Sequence, residues 1–567
     1  MADVPTLSRR IAQALGNEPA DLVVRGGRFL NVVTGEVAEG DVAVCGDTIV
    51  GTYERYDGRV VVDGRDRVVV PGFIDTHVHV ESTLVTPAEF DRCVLPRGTT
   101  TAICDPHEIA NVLGVRGLTY FLDASRELAM DLFVQLSSCV PATDLETSGA
   151  RLGVDDLLAL RDHPAVLGLA EMMNFPGVLH RDPGVLAKLA AFSDGPIDGH
   201  CPLVSGRDLN AYAACGIRNC HESTRPAEAL EKLRKGMQVL LRDGSVSKDV
   251  ARLAPLLTDL TSPFLAFCTD DRNPLDIAEE GHVDHIIRRA VAAGAPVSAA
   301  YRAATWSAAQ GFGLRDRGLV APGYRADLVL VADLATCAVE TVIRSGRVVD
   351  EATFGERRRA PDLGRRSVRL DPVTPAVFRT PASGPNGPVI GLIPGSIVTE
   401  ALALELPYAA GAREADPLRG VHKVAVLARH GVNRNVGRGF VRGFGFPHGA
   451  LASSVGHDSH NVIVVGASDA EMALAVNRLI ELEGGFVAVV GSRVVAELPL
   501  TIAGLFSDRP FGEVRDALRG LRAAVAVMGC PLAEPFLQLA FLPLPVIPHL
   551  KITDRGLVDV DRFRLVG

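Results

Sequence analysis

The tripeptide His77-Val78-His79 closes an apolar, β-branched run that begins at Val68. In an extended strand, side chains two positions apart leave from the same face, so both imidazoles can reach one ion. Imidazole is a good ligand for zinc-, iron- or nickel-type metals. Taken alone, the pair is equally a strand with two incidental polar residues. Further along, however, ionisable residues recur at the ends of other strand-like runs: Asp105-Pro106-His107-Glu108, Glu171, His200, His221-Glu222, Arg242 and Asp270-Asp271-Arg272. Each has an ordinary reading, His200 as a structural histidine, Glu171 as a cap and Asp270 as a turn residue. Their recurrence strand after strand favours a shared metal site. A zinc-type site takes three protein ligands and a water. His77, His79, Glu171, His200, His221 and Asp270 exceed that need, and a carboxylate can bridge. The set therefore points to two divalent ions a few ångströms apart sharing a hydroxide, and to hydrolysis without a Ser or Cys nucleophile.

The elements that must position these residues follow from the periodicity. Candidate strands are Val68–Asp75, Thr99–Cys104, Leu132–Ser137, Ala165–Ala170, Pro196–Gly199, Gly216–Cys220, Met237–Leu241 and Pro263–Cys268, with helical patterns such as Val115–Leu128, Gly184–Phe192, Ala227–Lys235 and Val250–Leu260 between them. Eight such units within residues 68–315 match a (β/α)8 TIM barrel, whose active sites lie at the C-terminal strand ends. A doubly wound open sheet is the competitor, and it needs fewer strands or a topological break. Before the barrel lie a short leading helix, Leu7–Leu15, and short strands split by glycine turns. Ala20-Asp-Leu-Val-Val is echoed by Ala326-Asp-Leu-Val-Leu. Residues 1–67 and 316–366 are thus expected to form one small β domain split by the barrel. Residues 367–567, with helical stretches at Asp469–Leu482 and Phe511–Val527, read as a further α/β domain.

Composition narrows the function classes. The chain has 567 residues, 47% of them hydrophobic and 22% charged, which is globular and long enough for several domains. A net charge of −10 gives no support to nucleic-acid or acidic-membrane binding. Ten scattered cysteines without a Cys-x-x-Cys pair suit a reducing compartment and argue against a disulfide framework. The N-terminus lacks a signal-peptide apolar region, and later apolar stretches are broken by proline. A soluble, cytoplasmic protein is expected, with a homo-oligomer, a dimer, as the prior for its assembly.

The residues at the strand ends also carry a family resemblance. The His-x-His of strand one, His200, His221, Asp270 and a split β domain resemble the amidohydrolase superfamily. More closely, Pro71-Gly-Phe-Ile-Asp-Thr-His-Val-His-Val-Glu-Ser, Asp105-Pro-His-Glu-Ile-Ala-Asn-Val-Leu-Gly, Glu171-Met-Met-Asn-Phe-Pro-Gly-Val, Asp198-Gly-His-Cys-Pro, Gly216-Ile-Arg-Asn-Cys-His-Glu and Cys268-Thr-Asp-Asp-Arg are similar to bacterial adenine deaminases. So are Gly439-Phe-Val-Arg-Gly-Phe-Gly and Ser453-Ser-Val-Gly-His-Asp-Ser-His460-Asn. The resemblance spans essentially the whole chain. It implies an amidohydrolase-type barrel with a small β-sandwich domain, and metal ligation by His77, His79, His200, His221 and Asp270. No lysine occurs in 165–173, where many binuclear members carry a modified one, and Glu171 takes that position. The implied reaction converts adenine and water to hypoxanthine and ammonia, as in purine salvage, by a metal-bound hydroxide attacking C6. The implied metals are Mn2+ or Fe2+, with Zn2+ also fitting the ligands. Asp270 is the expected proton acceptor, and His107 with Glu108 (or Glu222) the candidates for proton donation. Glu81, Asp105 and Arg242 are the candidates for holding the purine base, or for orienting the ligands from behind. Another amidohydrolase acting on a cyclic amide or a different aminated heterocycle, and a catalytically dead metal-binding barrel, are the alternatives.

Overall fold

The computed structural model describes residues 3–357 and 362–566. Residues 1–2 and 358–361 of the expected small β domain, and residue 567 of the expected C-terminal domain, lie outside the described residues. Eight parallel strands carry the site. β1 (Phe73–Val78), β2 (Thr99–Cys104), β3 (Asp131–Leu136), β4 (Val166–Met172) and β5 (Ile197–Gly199) hydrogen-bond in that order. β6 (Asn219–Cys220), β7 (Gln238–Arg242) and β8 (Leu265–Cys268) form a second parallel set. The two sets meet at both edges. The Asp270 amide donates to the His77 carbonyl at 3.0 Å and the His79 amide to the Asp270 carbonyl at 3.2 Å, while the Arg218 amide reaches the Ile197 carbonyl at 3.5 Å. The result is a (β/α)8 barrel.

Period-two alternation explains which side chains reach its rim. In β7 and β8, Val239, Leu241, Leu265 and Phe267 pack outward with residues of the helices Val283–Ala292 and Val297–Ala304. Leu240, Ala266 and Cys268 join Ile74 and Ile103 in a separate inner cluster. Continuing the same alternation brings Arg242 and Asp270 to the inner face.

The run Val68–Asp75, expected as one strand, is two. Val68–Pro71 lies in a six-stranded sheet, between Leu328–Val331 and Arg28–Leu30, and only Phe73 onward enters the barrel. The chain changes partners at Gly72, whose amide donates to the Asp327 carbonyl at 2.7 Å. A Cβ there would lie 2.3 Å from Thr100 Oγ1, so only glycine lets the backbone pass. A four-stranded sheet ordered Thr48–Gly51, Val42–Cys45, Ala20–Arg25, Gly58–Asp63 accompanies it. Leu22, Val24, Val44 and Ile49 of this sheet share one core with Phe29, Val69, Leu328 and Ile343 of the other. Asp131, at the start of β3, ties this module to the barrel. Its carboxylate receives Arg317, Arg325 and Arg344 at 2.5, 2.7 and 2.6 Å.

The C-terminal region is built on an eight-stranded sheet whose centre is Val436–Arg442, Val421–Leu427, Val462–Gly466 and Ala450–Ser453. Here too the alternation divides the strands. Ala425, Leu427 and Val464 face the helix Asp469–Glu481 through Met472, Val476 and Leu479. Val424, Val426, Ile463 and Val465 face the other way, into a core shared with the helix Phe511–Val527 and with barrel residues Ala102, Cys104, Phe121 and Val134. Among the described residues, no helix is long and apolar enough to cross a membrane.

The Asp131 cluster gives a stability prediction. Asp131→Ala leaves three guanidinium groups facing one another without their common anion. It should destabilise the fold by about 3 kcal/mol, the lower end of the range for breaking a buried pair, because Asp131 keeps partial solvent access. Thermal unfolding of the variant beside the wild type measures this, and an unchanged midpoint would show that the cluster is only decorative.

Candidate metal centre

β1 delivers the first two imidazoles. His77 is its fifth residue and His79 follows its end, and their Nε2 atoms lie 3.1 Å apart. Both side chains are buried, and the His79 Nδ1 atom is bonded to the Asp105 carbonyl at 3.0 Å, which leaves Nε2 to face inward. Glu171, near the end of β4, stands between two imidazole pairs. Its Oε1 is 3.7 Å from His77 Nε2 and 3.3 Å from His79 Nε2. Its Oε2 is 2.6 Å from His200 Nδ1 and 3.3 Å from His221 Nε2. His200 directly follows β5 and His221 directly follows β6. Asp270, beyond β8, places Oδ1 at 3.6 Å from His77 Nε2 and 3.2 Å from His79 Nε2. The six residues expected as ligands are therefore together.

The donor chemistry fits divalent cations. The groups His77–His79–Glu171, His77–His221–Asp270 and Glu171–His200–His221 each bring their ligand atoms within 4.8 Å of one another. His200 Nε2, His221 Nδ1 and Asp198 Oδ2 are buried without hydrogen-bond partners. Ring nitrogens and carboxylate oxygens converging on one buried point carry mutually repelling lone pairs unless protons or cations lie between them. Burial alone raises the Glu171 carboxyl, but His200 and His221 outweigh it and hold the group well below the carboxylate range. Asp270 is likewise held low against burial, by His79 and Arg242.

The remaining expected residues divide into wall and support. Arg242 lines the cavity, and its guanidinium pairs with Glu222, with Asp270 Oδ2 at 2.9 Å and with Asp249 at 3.4 Å. His107 also lines it, with Nδ1 at 3.0 Å from Asp105 Oδ2 and 3.5 Å from Glu171 Oε1. Asp105 stands behind His107, its other oxygen accepting from the Ser137 hydroxyl at 2.8 Å. Glu108 is not among the cavity-lining residues, although a carboxylate oxygen lies within 4.8 Å of ligand atoms of His79 and His107; it is 3.1 Å from His457 Nδ1 and 3.8 Å from His460 Nε2. Glu81 is not on the wall. The strand ends at Val78, and Val80–Thr83 forms a 3-10 turn, so the two-residue alternation no longer carries Glu81 beside His79. Its carboxylate accepts the Ile109 amide at 3.2 Å, and burial together with Glu108 raises it to about 8.

Some wall residues come from far along the chain. Ile397, His457, Asp458, Phe541 and Leu544 complete the cavity with Met173, Glu222 and Asp271. Asp458 Oδ1 is 3.6 Å from His107 Nε2. The histidine-rich stretch from Ser453 to His460 was visible in the sequence, but no periodicity aimed it at the barrel.

A parallel barrel gathering imidazoles and carboxylates at its strand ends is the architecture of an amidohydrolase, and residues 68–349 match the amidohydrolase family. Residues 396–564 match the adenine deaminase C-terminal domain. The chain is 64% identical to an adenine deaminase of Methylobacterium nodulans, over 99% of each chain. It is 61% identical to one of Gluconobacter oxydans, over 99% of this chain and 100% of the relative, and 59% identical to one of Brucella suis, over 98% and 96%. The chain belongs to the adenine deaminase family.

The position of Glu171 predicts its effect on metal loading. Glu171→Gln keeps the shape but removes the charge shared by both imidazole pairs. After reconstitution with Mn2+, the metal bound per chain, measured by plasma mass spectrometry, should fall by half or more. Wild-type stoichiometry in that variant would remove Glu171 from the shared position.

Proposed function

We propose that this protein catalyses the hydrolytic deamination of adenine to hypoxanthine and ammonia. The observation that carries the reading is the Glu171 carboxylate set between His77/His79 and His200/His221 in a chain 64% identical, end to end, to an adenine deaminase. In this reading His77, His79, Glu171, His200, His221 and Asp270 hold two divalent ions, Mn2+ or Fe2+, with Zn2+ compatible with the same donors. Such ions lower the pKa of water and supply a nucleophile near neutral pH. The other steps belong to the chain's own groups.

Arg242 binds Oδ2 of Asp270 and so leaves Oδ1 as the oxygen turned toward the imidazoles. Asp270 takes the proton released as the nucleophile attacks C6 and returns it to a ring nitrogen or to the leaving amine. His107, oriented through Nδ1 by Asp105 and facing Asp458 through Nε2, is the second proton-transfer group at the wall. Glu108 acts on it indirectly, through the neighbouring His457. Glu81 and Asp105 support the wall from behind, and Arg242 with Glu222 offers polar groups to the base. In this reading the catalytic barrel runs from residue 73 to 315, because Val68–Pro71 pairs in the small domain's sheet; residues 3–72, 316–357 and 362–366 form the small domain and 367–566 the C-terminal domain. The free cysteines suit a cytoplasmic enzyme.

Ammonia release and the ultraviolet change from adenine test the proposal on protein reconstituted with Mn2+. Adenine should turn over, and Asp270→Asn should lower kcat by about a hundredfold or more, the usual scale for removing a proton-transfer group. Hydrolysis of hydantoin or dihydroorotate with adenine untouched would overturn it.

A further inference from the structure

The cavity over the barrel cluster has a volume of about 20 Å3. That is room for about one water molecule and far less than a purine. One side is the ligand cluster. The other is apolar and comes mostly from the C-terminal domain, through Ile397, Phe541 and Leu544. The Phe541 ring lies flat on the His457 imidazole, 4.5 Å between centroids and 7° between planes. A base whose C6 meets the cluster must displace this cap to enter, and any group added to the ring must then press against it.

One buried residue fixes the cap. Lys551 is fully buried, and its ammonium donates to the Ile397 carbonyl at 2.7 Å and to the Phe541 carbonyl at 3.0 Å. Burial lowers its pKa to about 7, and no neighbouring charge acts against that shift. A dry amine held only by two carbonyls is costly to bury. Both carbonyls belong to residues of the cap, so the amine's contacts are spent on holding these two segments, which are distant in sequence, at one spacing.

We infer that Ile397, Phe541 and Leu544 set the size limit of the substrate, admitting a purine free base and rejecting N9-substituted purines, with Lys551 as the positioning residue that holds this cap in place. The inference rests on the adenine-deaminating reading above and extends it to the residues that choose among purines.

The test compares adenine with 9-methyladenine in the Mn2+-loaded wild type, Phe541→Ala and Lys551→Met. In Phe541→Ala the ratio of kcat/KM for 9-methyladenine over adenine should rise at least about tenfold, the lower end of what one methyl group contributes in a shaped pocket. Lys551→Met should raise KM for adenine at least about fivefold, with kcat within about twofold and metal content unchanged, as expected for lost positioning rather than lost chemistry. Leu544→Ala, on the same wall, carries the first expectation should Phe541→Ala fail to fold. A smaller rise in the ratio, or a wild type that accepts both purines equally, overturns the size limit. Equal losses of kcat and metal in Lys551→Met overturn its positioning role. Calorimetric binding of the two purines is measured alongside. Preserved discrimination in binding without turnover of adenine would sink the deaminase reading and leave the cap standing.

Discussion

A single carboxylate, Glu171, is the group on which the rest of the site depends. Each of its oxygens faces a different pair of imidazoles, so one side chain neutralises part of the charge on both halves of the cluster. Without such a shared anion, four imidazoles and any cations among them would repel one another in a buried space. The barrel solves the placement. β1, β4, β5, β6 and β8 end at one rim, and each brings a candidate ligand atom there without a dedicated loop. The surrounding groups then fix which atom points inward. The Asp105 carbonyl holds one nitrogen of His79, and Arg242 holds one oxygen of Asp270.

The C-terminal domain is part of the site as well as its neighbour. Its sheet shares a hydrophobic core with the barrel, through Val424, Val426, Ile463 and Val465 against Ala102, Cys104 and Val134. That common core makes the position of the loop from Gly456 to Asn461 a property of the whole chain. The loop is fixed from behind by Arg429, a buried guanidinium that donates to the His460 carbonyl, to Ser367 Oγ at 2.8 Å and to the Ala503 carbonyl at 2.9 Å. Asn461 adds a bond from its amide to the Thr147 carbonyl at 2.8 Å, joining the loop to the segment after β3. His457 and Asp458 thus meet His107 and Glu108 across a boundary between domains, in surroundings as buried as either interior.

Much of this was readable from sequence because it is local and periodic. Each barrel strand is a short β-branched or apolar run, and the ionisable residue after it stands out against its neighbours. The helices Asp469–Glu481 and Phe511–Val527 show equally clear spacing. The misreadings arise where periodicity stops. Val68–Asp75 looks continuous because both halves are apolar, and only the tight packing of Gly72 on Thr100 reveals a change of sheet. Glu81 loses its alignment with His79 because the strand ends one turn earlier. Nothing local in His457-Asp458 or in Phe541 says which surface they will meet. Those contacts depend on how two whole cores pack together, and short-range patterns do not encode that.

The six-stranded sheet beside the barrel has a consequence for how the chain is made. Val68–Pro71 is paired on one side with Arg28–Leu30, synthesised before it, and on the other with Leu328–Val331, synthesised after every barrel strand. While the ribosome is still producing the barrel, that strand has an open, apolar edge with no partner yet in existence. An unpaired edge of this kind invites pairing with other chains. That edge is without its native partner while residues 72–327 are made, and its protection arrives only when the chain returns from the far side of the barrel.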